Sequence, residues 1–156
     1  MKRNLVFLIL IVFIFSCNKK KYKGSKSEWM DDAFTVIKED SDIKAISWWN
    51  ENWDDKKAVE MKINSSDDAL QTYQMFINDA HYVSEANLEN KKLLSPITGT
   101  YHSAYPGFSV NNGESEVVNL KKIQEFETYA KKEIVWVYFS NSWHEGIRFP
   151  KEEVEI

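Results

Sequence analysis

Two segments of this chain bring together residue types that can do chemistry at one place. The first is Ser47-Trp48-Trp49-Asn50-Glu51-Asn52-Trp53, and the second is Phe139-Ser140-Asn141-Ser142-Trp143-His144-Glu145. Each follows an apolar run and ends it with indole rings, amides and one carboxylate. Indole faces stack on the apolar faces of pyranose rings. Asn and Glu side chains bond hydroxyl groups, because both offer directional acceptors and Asn adds donors. The expected ligand is an oligo- or polysaccharide, bound by Trp48, Trp49, Asn50, Glu51, Trp53, Ser140, Asn141 and Trp143. Any one tryptophan is more often a core residue, so the pair of segments carries the expectation. Glu51 and Glu145 are the only carboxylates inside them, and no catalytic residue is assigned.

Other chemistries find little support. His81, His102 and His144 are scattered, with no histidine pair at zinc-ligand spacing. Asp54-Asp55 and Asp67-Asp68 lack the spaced oxygen ligands of a calcium loop. There is no glycine-rich phosphate loop. The expectation is no metal and no cofactor.

The elements that would position these residues read as alternating helices and strands. Ser27 can cap a helix from Glu28 to about Asp40, with Trp29, Ala33, Val36 and Ile37 at helical spacing. Ile43 to Trp49 reads as a strand and Val59 to Ile63 as a second extended piece. Ser65 with Asp68 approximates a capping box for a helix whose apolar face is Leu70, Tyr73, Ile77 and Ala80. Residues 81–113 read as loop, punctuated by Ser95-Pro96, Gly99, Pro106-Gly107 and Asn111-Asn112-Gly113. A third helix runs from about Ser115 or Asn119 to Lys132, and two lysines end it. Ile134 to Phe139 is almost continuously apolar, as a strand buried on both faces would be. The expected class is α/β, with both tryptophan-bearing segments at strand C-termini, where parallel α/β sheets and barrels build their sites.

The N-terminus predicts an address. Lys2 and Arg3 precede an apolar run from Leu5 to Phe15, and Ile14-Phe15-Ser16-Cys17 closes it. That is the pattern of a secretory signal peptide, and eleven apolar residues fall short of the about 20 a spanning helix needs. The closing tetrapeptide resembles the bacterial lipobox, which implies lipid on Cys17 and a protein held at a membrane of the bacterial cell envelope. Phe15 is bulkier than usual there. Cys17 is the only cysteine, so no disulfide forms within one chain. Residues 17–27, with the Lys19-Lys20-Lys21-Tyr22-Lys23 run, then serve as a tether. Loss of residues 1–16 removes Lys2 and Arg3 and moves the formal net charge from −4 to −6. That charge disfavours nucleic acid as a partner.

Lys44-Ala45-Ile46-Ser47-Trp48-Trp49-Asn50-Glu51-Asn52-Trp53 resembles the last barrel strand of glycoside hydrolases of the family 26 β-mannanase type. The following Ile63-Asn64-Ser65-Ser66 and the helix after it resemble that family's final helix. Tyr101-His102-Ser103-Ala104-Tyr105-Pro106-Gly107-Phe108 resembles the opening of such a domain. So does Ile134-Val135-Trp136-Val137-Tyr138-Phe139-Ser140-Asn141-Ser142-Trp143, ahead of Ile147-Arg148-Phe149-Pro150. The resemblance implies partial (β/α) barrel units, an incomplete TIM-barrel-like fold: residues 28–87 as a C-terminal-type unit, 88–98 as a linker, and 99–156 as an N-terminal-type unit. The order departs from the family's, since a last strand precedes a first. A complete barrel also takes about 250 residues. The strands that carry the family's two catalytic glutamates have no counterpart here. The resemblance thus implies an anchored remnant of a glycan-processing enzyme, inactive alone. Two alternatives stand beside it: a non-catalytic carbohydrate-binding surface lipoprotein, and an interaction protein that completes its sheet with a partner chain.

Overall fold

A computed structural model of the chain describes residues 24–52, 60–107 and 118–138. Helix α1, Lys26–Glu39, starts at Ser25, whose hydroxyl accepts from the Glu28 amide while the Glu28 carboxylate accepts from the Ser25 amide. This reciprocal pair satisfies two of the four amides that a helix start leaves without intrahelical partners. Strand β1 is Ala45–Trp49 and helix α2 is Asp67–Ile77, capped by Ser66. Strand β2, Tyr82–Val83, is short, and β3, Leu88–Glu89, pairs antiparallel with β4, Lys92–Leu93. Strand β5 is Thr100–Tyr105, and helix α3, Leu120–Ala130, is capped by Asn119.

The main sheet has the order β1-β5-β2, and all its pairs are parallel. Ala45 lies opposite Tyr101, and Trp49 opposite Tyr105. Beyond the short β2, residues 135–138 take over the same side of β5. Val135 donates to His102 O at 2.9 Å, Tyr138 donates to Ala104 O at 2.9 Å, and Val137 forms a parallel bridge with Ala104. Thus β1, β5 and the 135–138 segment lie side by side in chain order, with α2 preceding the second and α3 preceding the third.

Alternation along the strands splits the sheet into two faces. Ile46, Trp48, His102 and Ala104 face the helices. One core joins Met30 and Phe34 of α1, Tyr73 and Ile77 of α2, and Phe126 and Ala130 of α3 to Ala104. All three helices therefore lie on one face. Phe34 sits at the middle, with Trp48, Tyr73, Phe76 and Tyr82 around it at ring distances of 5.3–6.4 Å. Fully burying a side chain of that size contributes about 1.5–3 kcal/mol. The other face carries Ser47, Trp49, Tyr101, Ser103 and Tyr105.

The α/β class stands, and several details differ from expectation. Ser25, not Ser27, caps α1. Its core stripe is Met30, Phe34 and Ile37, while Trp29 and Val36 are exposed. Both stripes have helical spacing, and only the packing against Trp48 and Tyr73 selects between them. Ser66 rather than Ser65 caps α2. No strand forms over the described residues 60–63. The stretch read as loop contains β5, whose six residues are all buried. The 134–138 segment is not a strand buried on both faces: it holds one bridge, Ile134 to Val137 are half-buried and Tyr138 is exposed.

Candidate functional site

The end of β1 sends its two tryptophans in opposite directions. Trp48 turns to the helices, where Phe34 stacks on it at 6.4 Å and Tyr73 meets it edge-on at 5.2 Å. Its Nε1 donates to Met61 O at 2.9 Å, and the Lys26 ammonium lies 5.7 Å from its ring centre. Lys26 also donates to the Glu60 and Lys62 carbonyls and to Ser65 Oγ. Partial burial lowers its pKa to about 8, against the opposing pull of the Glu60 charge. Trp48 is a packing residue. Asn50 is likewise engaged: its amide donates to Tyr105 O, its Oδ1 accepts from Ile63 N at 2.8 Å, and its Nδ2 donates to Pro106 O at 3.4 Å. It joins the ends of β1 and β5 to the loop that leads into α2.

Trp49 turns to the face away from the three described helices. Its ring stacks on Tyr105 at 4.2 Å with 25° between planes, and Tyr138 stands 6.0 Å from Trp49 and 6.3 Å from Tyr105. Trp49 and Tyr105 end the adjacent strands β1 and β5, and Tyr138 comes from the parallel segment on the far side of β5. One rung further along the same register, Glu51 stands beside Gly107. Glu51 Oε1 accepts from Asn52 N at 3.0 Å and pairs with Lys62 Nζ at 3.1 Å. Its Oε2 lies where a side chain at position 107 would begin: a Cβ there would be 2.9 Å away. Gly107 also has φ +94°, which glycine tolerates and other residues rarely adopt. The missing side chain leaves Glu51 next to bare backbone, above the aromatic wall.

Of the residues expected at the site, Trp49 stacks on Tyr105 and Glu51 follows β1 beside Gly107, whereas Trp48 and Asn50 hold the structure behind them. Trp53, Ser140, Asn141 and Trp143, and the lipidation residue Cys17, lie outside the described residues. Sequence reasoning missed Tyr105, Tyr138, Gly107 and Lys62 as site residues. The signal for the first was present: Tyr101, Ser103 and Tyr105 alternate ahead of Pro106-Gly107, as a strand running into a turn does.

A cavity of about 320 Å³ opens at the opposite end of the sheet, lined by Val83, Ala86, Pro96, Ile97 and Tyr101 among others. It is remote from the strand C-termini, since Tyr101 is paired with Ala45 at the start of β1. On the helix face, Tyr73 Oη and His102 Nε2 lie 2.8 Å apart, and His102 Nδ1 is 3.4 Å from Glu133 O. Both side chains have no solvent exposure. Burial raises the Tyr73 pKa well above its ordinary value and lowers that of His102 to about 4. A neutral imidazole that accepts from the phenol and donates to the carbonyl fits this geometry. Closed to solvent, the pair acts as a tie between α2 and β5. Among the described residues no three His, Cys, Asp or Glu side chains converge as metal ligands. Comparison of the chain with known protein families, curated proteins and solved structures finds no match.

Proposed function

We propose that this chain is a lipid-anchored protein of the bacterial envelope that binds glycan chains at the C-terminal ends of its parallel strands, without hydrolysing them. The observation that carries the reading is the Trp49–Tyr105–Tyr138 wall with Glu51 one rung above it. Of these rings Tyr138 is exposed and Trp49 half-buried, while Tyr105 is buried and stacks on Trp49. Exposed ring area suits the apolar face of a pyranose, and the carboxylate offers acceptors to its hydroxyls. Hydrolysis by the usual mechanism needs two carboxyl groups flanking the bond. Glu51 is the one carboxylate of this wall among the described residues, and Lys62 already pairs with it. In fold, the reading extends to β/α units of barrel type, related to family 26 glycoside hydrolases. Support for it comes from β1, β5 and the 135–138 segment, which lie parallel and side by side in chain order, with helices α1, α2 and α3 on one face of the sheet.

The test is titration with manno- and gluco-oligosaccharides, followed by tryptophan fluorescence and calorimetry. Saturable binding is expected. Trp49→Ala should weaken it about tenfold, the scale of an aromatic contact, and Glu51→Gln by less. Trp136, whose ring meets Tyr101 edge-on at 6.0 Å, is the control: Trp136→Phe should leave affinity unchanged. No reducing sugar should be released. Absence of binding at millimolar glycan, or full affinity in Trp49→Ala, would overturn the proposal.

A further inference from the structure

Residues 60–63 precede α2 and belong to no strand. Their backbone groups therefore need partners outside a ladder, and side chains supply them. Trp48 Nε1 donates to Met61 O, Asn52 Oδ1 accepts from Met61 N, and Asn50 Oδ1 accepts from Ile63 N. These three side chains come from the end of β1 and the residues just after it. Lys26 of α1 donates to the Glu60 and Lys62 carbonyls. Among the described residues it is the one side chain from elsewhere in the chain that bonds the 60–63 backbone.

The ammonium suits this task. Its three N–H groups meet three acceptors: Glu60 O at 3.0 Å, Ser65 Oγ at 3.1 Å, and Lys62 O. Hydrogen bonds from a charged donor are stronger than neutral ones. The segment that Lys26 holds also holds Glu51. Glu51 Oε1 accepts from Asn52 N and pairs with Lys62 Nζ. Asn52 is tied to Met61 N, and Lys62 lies within the segment. Both groups that fix the carboxylate are thus set by where residues 61 and 62 lie. Lys26 itself bonds the segment and Ser65, not Glu51.

We propose that Lys26 is a positioning residue of the candidate glycan site: by pinning residues 60–63 it places Lys62 and Asn52, and through them the Glu51 carboxylate. The proposal rests on the glycan-binding reading of that site. The charged groups on the elements around Lys26 are Glu60 and Lys62 on the held segment, Glu51 after β1, Asp67 and Asp68 in the first turn of α2, and Glu28 on α1 itself. Burial of the ammonium lowers the Lys26 pKa to about 8, against the pull of the Glu60 charge. Loss of that proton removes one of the three donors and the charge that strengthens the other two.

Two measurements on the full chain in detergent test the role. The first is NMR of the Glu51 carboxyl carbon without glycan. Its signal should step near pH 8, as the Lys26 proton leaves. Lys26→Arg keeps its charge at that pH and should abolish the step. The second is calorimetric titration with manno- and gluco-oligosaccharides. Lys26→Met should weaken binding about threefold, the scale of a residue that acts without touching the ligand. In a Glu51→Gln background the same change should cost nothing further, because its effect passes through the carboxylate. Absence of glycan binding by the unaltered chain would overturn the functional reading. Glycan binding with no step, with a step that persists in Lys26→Arg, or with equal Lys26→Met losses in both backgrounds would overturn the role of Lys26 alone.

Discussion

Tyr73 and His102 satisfy each other where water cannot reach. Tyr73→Phe would leave His102 Nε2 buried without its partner, which costs about 1–3 kcal/mol; urea denaturation should show a loss of that size. The same burial makes stability depend on pH. Folding lowers the His102 pKa from its ordinary 6.5 to about 4. Between those values the unfolded chain takes up a proton that the folded chain refuses, so stability falls as the pH drops through the window. The fall is on the order of 3 kcal/mol, and His102→Gln should flatten it in a denaturation series from pH 7 to pH 4. At the other face, Gly107→Ala would place a Cβ 2.9 Å from Glu51 Oε2 on backbone at φ +94°. It should cost about 1 kcal/mol or more and displace the Glu51 carboxylate, which calorimetry and glycan titration can read separately.

At the scale of elements, the helix starts show which local signals decide structure. Ser25→Ala would remove the hydroxyl that accepts from Glu28 N and break the reciprocal box, at a cost of about 1 kcal/mol. Ser27→Ala, one position inside the helix, should change thermal stability far less. The existence and rough extent of all three helices were legible, because apolar periodicity and a capping residue agree at each. Which stripe of α1 faces the core was not legible. Trp29-Ala33-Val36 and Met30-Phe34-Ile37 have the same spacing, and the choice is made by Trp48 and Tyr73, residues distant in sequence. Strand β5 was concealed for a similar reason. Thr100 to Tyr105 includes a histidine and a serine, and the local pattern reads as loop between Ser95-Pro96 and Pro106-Gly107. In place, Ser103 donates to Ile46 O and Thr100 to Ile43 O, so the polar groups of a central strand are satisfied by its neighbour. At the candidate site, Trp49 and Glu51 were legible as aromatic and carboxylate at a strand end. Trp48 and Asn50 share that composition, and their packing role follows from the period of two along a strand, which sends alternate residues to opposite faces.

For the whole molecule, the start of α1 and the candidate site lie at one end. Helix α1 begins near the C-terminal end of β1, where Lys26 binds the Glu60 and Lys62 carbonyls and Ser65 Oγ, and Lys62 in turn pairs with Glu51. From Cys17 to Lys26 are nine residues, so even a fully extended chain reaches only about 30 Å. With the proposed lipid on Cys17, the aromatic wall would stay close to the bilayer surface and meet glycans there. Two or more acyl chains hold a protein stably at a membrane, at about 0.8 kcal/mol for each buried CH₂. The lysine run after Cys17 adds attraction to anionic headgroups but should not hold the protein by itself. Cys17→Ser is therefore expected to move the protein from the membrane fraction to the soluble fraction. Replacing Lys19, Lys20, Lys21 and Lys23 by Gln should leave it bound and only lower its resistance to a salt wash. Membrane retention of Cys17→Ser equal to that of the unaltered chain would remove the anchor from the proposal. Binding of soluble oligosaccharides by that variant would then decide whether the site stands without it.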